Sequence, residues 1–181
     1  MYLNLSGKVL VGSGMIRVHR HALSKSEAKE IIALLEKNLQ IEKPLHHKSK
    51  WEIMQLGKDA TLYFVNDKPI AMELGGKLVP FLTALIDGTV RLPRVVVDMG
   101  AVKHIANGAD VMAPGIVRIE DDFAKDDLVV VVDERHGKPL CIGMALLSKA
   151  EIEAVSRGKV IKNLHYVGDK IWNKLKELGL I

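Results

Sequence analysis

Between Val95 and Val167 the chain sets down five short runs rich in β-branched and large apolar residues: Val95–Val97, Gly115–Ile119, Leu128–Val132, Leu140–Leu146 and Lys159–Val167. Only short helical inserts separate them. Gly100–Asn107 has the length of two turns and turns Val102, Ile105 and Ala106 inward, with Lys103 and Asn107 on the other side. Ser148-Lys-Ala-Glu151 has the form of a capping box opening a second short helix that stops at Gly158. Strands this closely spaced, joined by turns, predict a small closed or nearly closed β-barrel. Gly108 falls where a left-handed helix cap is wanted, and Pro114-Gly115 reads as a turn. Asp169 is placed to cap a terminal helix running through Leu178.

The first half mixes helix and strand. Ser24-Lys-Ser-Glu27 is another capping box, and Ala28, Ile31, Ile32 and Leu35 follow at helical spacing. Pro44 ends any continuation, and Lys43 to Lys50 (KPLHHKSK) forms a basic loop. Trp51–Leu56, Ala60–Val65 and Pro69–Leu74 read as strands, the last two joined by Asn66-Asp67-Lys68. Gly75-Gly76 is a turn, and Val79–Ile86 reads as a short apolar helix. Asp87-Gly88 and Pro93 mark a boundary near residue 90, dividing the chain into domains at 1–90 and 91–175 with a helix to 181. The fold class expected is α+β: a mixed α/β domain followed by a pseudo-β-barrel with short helices.

Composition narrows the function. Hydrophobic residues make up 48% and charged residues 27%, enough for a core and too apolar for general disorder. A single cysteine excludes an internal disulfide framework and fits a reducing cytoplasm. The amino terminus lacks the apolar core of a signal peptide, and the longest apolar runs are too short to span a bilayer. No membrane association is expected. Residues 1–91 carry 13 basic and 9 acidic side chains; residues 110–134 carry 2 and 8, and residues 135–181 carry 9 and 4. Such an asymmetry suits orientation on a polyanion as well as it suits an ordinary solvated surface.

Catalytic patterns do not survive inspection. Gly12-Ser13-Gly14 begins like a dinucleotide fingerprint, but Arg17 stands where the third glycine belongs, so it reads as a turn. Cys141 lies in an apolar strand, as a small buried hydrophobe does. His46 and His47 are adjacent, a poor spacing for one metal, and no further ligand cluster accompanies them. Asp98 has no acid or nucleophile partner and reads as a helix cap. No enzyme, metal or cofactor is expected.

Asp98-Met-Gly-Ala-Val-Lys-His-Ile-Ala-Asn-Gly-Ala-Asp-Val-Met-Ala-Pro-Gly115 resembles the signature of the PUA domain, the module named after pseudouridine synthases and archaeosine transglycosylases. Cys141-Ile-Gly-Met-Ala resembles its central strand, and Gly158 to Trp172 its closing strand and exit. The ending Asn163-Leu-His-Tyr with Asp169 and Trp172 is similar to that of the malignant T-cell-amplified sequence family and its archaeal relatives, and Ala60–Leu74 resembles the hairpin of that family's first domain. The resemblance implies a translation-associated RNA-binding protein that meets the small ribosomal subunit and the tRNA acceptor end, in initiation, re-initiation or recycling. In eukaryotes such proteins pair with the density-regulated protein or are fused to a similar partner. An RNA-modifying enzyme or its accessory subunit, and a protein-interaction adaptor, remain as alternatives.

The candidate RNA contacts are Gly100, Lys103, His104, Asn107, Gly108, Ala109, Met112, Pro114, Gly115, Lys162 and His165. Glycine backbone approaches phosphates closely. Lys103 and His104 offer cationic or polar contacts, and the 108–115 segment offers exposed backbone to a single-stranded end. Strict alternation along the last strand puts Lys159, Ile161 and Asn163 on one face and Lys162, Leu164 and Tyr166 on the other.

Overall fold

A computed structural model of the chain describes residues 8–11, 14–57 and 60–181. The Gly12-Ser13 part of the presumed turn lies outside the described residues. Two compact units emerge, one of Met1–Arg91 with Asn173–Ile181 and one of Leu92–Trp172. No helix among the described residues is long and apolar enough to cross a membrane.

In the first unit, β1 (Lys8–Val11), β2 (Gly14–Ala22), β4 (Trp51–Leu56), β5 (Ala60–Val65), β6 (Lys68–Leu74) and β7 (Lys77–Pro80) form one sheet in that order. Helix α1 (Lys25–Asn38) begins at the Ser24–Glu27 capping box and buries Ala28, Ile32 and Leu35. Pro44 is not its terminator. Leu39 is already extended, and Gln40–Ile41 (β3) pairs with Val90–Arg91 (β8), so sheet pairing ends the helix earlier.

Two further expectations shift. The β5–β6 loop is two residues, Asn66 and Asp67, both with positive φ, the hairpin geometry that matches strand twist; Lys68 is already paired with Val65. Val79 and Pro80 are strand, and only Leu82–Ile86 (α2) is helical. The Gly75-Gly76 turn, with φ of 57° and 77°, folds the chain straight back onto β6. An apolar run alone does not show which period it will adopt.

The second unit holds β9 (Arg94–Val97), α3 (Met99–Ile105), β10 (Val111–Met112), a 3-10 turn (Ala113–Gly115), β11 (Ile116–Ile119), β12 (Leu128–Asp133), β13 (Pro139–Ala145), α4 (Lys149–Ala154) and β14 (Lys159–Tyr166). Helix α5 (Lys170–Glu177) follows, with Asp169 accepting from the Trp172 N–H at 2.7 Å. The sheet order is β10-β14-β13-β12-β9-β11, antiparallel except for the parallel pair β12–β9. Its two outermost strands, β10 and β11, are consecutive in sequence and joined by three residues. Laid flat, six strands would hold their edges about 24 Å apart. Three linking residues reach at most ~14 Å. The sheet must therefore curl until its edges nearly meet, which makes it a pseudo-barrel with a seam. Val95, Val97, Val129, Val131, Cys141 and Ala145 share the buried core with Ile105 of α3 and Ile152 of α4.

Strict alternation fails in β14. Register slips opposite Val111/Met112 and again opposite Ile142/Gly143, so Val160 and Ile161 are both buried. Two bulges in one strand re-aim its side chains. Helix α4 stops at Ala154 rather than Gly158, because Val155 is already extended.

Two expected outcomes follow from this packing. A methyl group at Gly143 would run into the Ile161 side chain and sit 3.1 Å from the Lys162 carbonyl. Gly143→Ala should therefore destabilise by about 1–3 kcal/mol through overpacking. Gly158→Ala meets open space but a φ of 105°, and should destabilise by ~1 kcal/mol. Urea denaturation ranks the two. Asp169 is the second case. Burial opposes its charge, but the His165 ring and the Trp172 and Tyr166 N–H groups outweigh burial and hold its pKa below the ordinary carboxylate value. A depressed folded pKa contributes stability that is complete above the unfolded value, near pH 4, and lost as pH falls through the folded value. Asp169→Asn should flatten the acid side of a stability-versus-pH curve, below about pH 4.

Candidate nucleic-acid interface

The seam is fastened on both sides. The Ala113 N–H donates to the Gly158 carbonyl at 2.9 Å, and the Asp98 N–H to the Gly115 carbonyl at 3.0 Å. Asp98 also caps α3 by accepting from the Ala101 N–H at 2.8 Å, while Met99 donates its N–H to Glu134. Gly115 lets the helix settle onto the seam: a Cβ there would lie 3.0 Å from that of Ala101.

The far end of α3 is held by Asn163. Its amide donates to the carbonyls of Ile105 and Ala109, both at 3.1 Å, and its own N–H donates to Asp110 at 2.8 Å. Gly108 has a φ of 90°, and the Tyr166 ring stands over it so closely that a Cβ would come within 2.8 Å. Its freedom is thus required twice, by conformation and by approach.

Helix, seam and the start of β14 enclose an open cleft of about 660 Å³. Six of the expected contacts line it: Gly100, His104, Ala109, Met112, Pro114 and Gly115. His104 and Met112 are exposed, Met112 by 49%. Of the other lining residues, which were not among the expected contacts, three are charged: Asp98, Asp110 and Lys159. Lys159 Nζ lies 2.6 Å from Asp110 Oδ2. Burial raises the Asp110 pKa, but the bonds from Lys159 and the Asn163 N–H prevail and hold it below the ordinary value. Asp110 was legible as a polar residue in an otherwise small and apolar run; its pairing with a lysine 49 positions later was not.

The remaining expected contacts do not line the cleft. Lys103 and Asn107 are exposed on α3, where the Asn107 amide donates to the Lys103 carbonyl at 2.8 Å. Gly108 is half-buried beneath Tyr166, and Lys162 is exposed on β14 opposite Met144. His165 is fully buried, with Nδ1 2.6 Å from Asp169 and its ring 6.3 Å from that of Trp172. As a surface contact it is corrected to a core residue, because the second bulge of β14 turns it inward.

Burial pushes the Cys141 thiol up to about 12, far from a reactive thiolate. Among the described residues no group of three or more His, Cys, Asp or Glu side chains is placed to hold a metal ion.

In the first unit the basic loop borders a second cavity, of about 400 Å³, with Lys43, His46, Ser49, Lys68 and Asp87 around it. Part of the loop's charge is already engaged. Lys50 pairs with Asp67 at 2.8 Å and Glu52 at 3.1 Å, and Lys43 donates to the Asp87 carbonyl.

The PUA domain family matches residues 93–167, and a domain of unknown function, DUF1947, matches residues 19–87. The uncharacterized protein MJ1432 of Methanocaldococcus jannaschii is 43% identical over 155 residues, covering 85% of this chain and 95% of that one. Translation machinery-associated protein 20 of Schizosaccharomyces pombe is 33% identical over 121 residues, covering 64% and 67%. Human malignant T-cell-amplified sequence 2 is 35% identical over 101 residues, and the chain spans about half its length, 56%. The crystal structure of a hypothetical protein from Pyrococcus horikoshii superposes with a TM-score of 0.73 at 40% identity, covering 86% of this chain and 99% of that one. With its DUF1947 domain preceding a PUA domain, the chain belongs to the family that contains MJ1432, translation machinery-associated protein 20 and the malignant T-cell-amplified sequence proteins.

Proposed function

We propose that this protein is a non-enzymatic, cytoplasmic RNA-binding factor of translation that meets the small ribosomal subunit and the acceptor end of tRNA. The cleft at the seam carries this reading. It combines bare glycine backbone at Gly100 and Gly115, apolar surface from Met112 and Pro114, and the cationic or polar tips of Lys159 and His104. That is the inventory a single-stranded end requires: a face for a base, donors for the sugar–phosphate, and close backbone approach. Similarity to translation machinery-associated protein 20 supplies the process in which the RNA is met. The first unit serves as the docking platform for the ribosomal subunit, since residues 1–91 hold the positive excess of the chain. A protein partner resembling the density-regulated protein would belong to the same assembly.

Binding to a short single-stranded RNA should weaken with salt, with only about two to five phosphates neutralised and a log–log slope of roughly −1.4 to −3.5. His104→Ala and Met112→Ser should each reduce affinity several-fold with little change in melting temperature, because both side chains are exposed. Lys103→Glu, outside the cleft, should weaken binding less, through charge alone. Fluorescence anisotropy across a salt series measures all three, and an affinity that stays flat with salt would favour the adaptor alternative.

The engaged state of Lys43 and Lys50 leaves Lys48 and Lys68 as the cations of the docking surface to test. Lys48→Ala with Lys68→Ala should lower co-sedimentation with small subunits while leaving tRNA affinity within about twofold, since exposed substitutions outside the cleft alter little else. Full co-sedimentation would reduce the loop to ordinary solvated surface.

A further inference from the structure

We propose that Asp110 and Lys159 together read the free 2′,3′-diol of a terminal ribose, so that the cleft accepts an RNA strand ending in hydroxyls and rejects one ending in phosphate. The inference rests on the RNA reading above and assigns its specificity to one carboxylate.

An acidic side chain inside an RNA cleft needs a reason, because it repels the backbone the cleft must receive. Asp110 is not turned away. It lines the cleft with its side chain 26% exposed, and Lys159, 53% exposed, lies against it. Oδ1 accepts from the Asn163 N–H at 2.8 Å and Oδ2 from Lys159 at 2.6 Å, so the backbone and the ammonium fix the carboxylate between them. Each carboxylate oxygen retains accepting capacity, and the ammonium retains two further N–H donors. The cleft thus presents an acceptor and a donor side by side.

A vicinal diol is the complement of that pair. One hydroxyl donates to Asp110 while the other accepts from Lys159, and no charge is left uncompensated. A terminal phosphate near neutral pH is chiefly an acceptor. To reach Lys159 it must stand beside the Asp110 charge, and the Asn163 N–H holds the carboxylate where it is. Lys162 also acts on Asp110 through space and favours its charged form, which keeps the acceptor in place across the neutral range. Gly100 and Gly115 leave the neighbouring cleft wall without side chains, where a sugar can approach, and Met112 and Pro114 offer the terminal base an apolar face. An internal nucleotide, whose 3′ oxygen is esterified, meets the same objection as a terminal phosphate.

The test uses the full chain and three short RNAs of one sequence, ending in a 2′,3′-diol, a 3′-phosphate or a 2′,3′-dideoxy nucleotide. Anisotropy at fixed salt should show the diol-ended strand binding about tenfold tighter than the phosphate-ended one and several-fold tighter than the dideoxy strand, a modest ratio because Asp110 and Lys159 are partly exposed and solvent screens their charges. Asp110→Asn keeps an oxygen for the Asn163 N–H and should bring the diol and phosphate strands within about twofold of each other, as expected once the charge repulsion is gone. Lys159→Gln should weaken the diol-ended strand. If the wild-type protein binds all three ends equally, yet His104→Ala and Met112→Ser still weaken binding, end recognition is overturned and the RNA cleft stands. Discrimination that persists in a folded Asp110→Asn variant overturns the role of Asp110. Failure of the wild-type protein to bind any of the strands overturns both this inference and the RNA reading.

Discussion

The second unit depends on the shortness of one connection. The outermost strands of its sheet, β10 and β11, are separated by Ala113, Pro114 and Gly115 alone. That tether forces the sheet to curl around Val95, Val129, Val131 and Cys141, and it leaves an incompletely paired seam in place of a hydrogen-bonded closure. Helix α3 lies against this seam because Asp98 bonds to it and Gly115 admits Ala101 at van der Waals limit. The cleft is the space that remains between helix and seam. It is a consequence of nearly closing a barrel, not an addition to a closed one.

Rigidity behind the cleft comes from polar groups used economically. Asn163 ties both the last turn of α3 and the following loop to β14, while its backbone positions Asp110. Farther along the same strand, His165 and Asp169 join the strand's end to the cap of α5. Side chains held this way lose little further freedom when a ligand arrives, which is how a small contact area can still discriminate. The same logic explains why β14 is irregular. A regular strand could not present Lys159 to the cleft, bury Val160 and Ile161 in succession, and turn His165 inward. Two bulges make those three placements compatible.

These bulges also mark the limit of what the sequence discloses. Both capping boxes, the Asp98 and Asp169 caps and the Gly108 turn were legible, because each is a local rule satisfied within a few residues. Six residues that line the cleft lie in the Asp98–Gly115 segment, where it was the resemblance to the PUA signature, and not a local rule, that singled them out. What escaped was non-local. β10 is only two residues long and exists because β14 offers it a partner. The end of α1 is set by pairing with β8, some fifty residues away, so Pro44 gave a misleading stop. His165 carries the composition of a surface contact, and only the pairing of β13 with β14 shows that it points into the core. Period-2 reasoning fails wherever register slips, and a single sequence does not reveal a slip.

Several of the cations near the two cavities are already paired. The formal net of +4 suggests a generally cationic surface. Yet Lys159 is shared with Asp110, Lys50 with Asp67 and Glu52, and Arg94 and Arg118 with Glu120. A phosphate approaching any of these must displace a carboxylate or accept its repulsion, so each contact yields less than a free lysine would. At these paired positions counterion release contributes less than it would at a free lysine. Selectivity gains what affinity loses, because a ligand whose donors and acceptors match a paired site leaves the ion pair intact. Such a cleft is poorly suited to gripping RNA in bulk and well suited to testing one end of it. On the proposed reading, firm attachment would come from a second surface engaged at the same time, where linkage within one chain raises the effective concentration of the first. The cleft proposed to test a strand's end and the basic loop proposed to dock would then divide that labour between the two units.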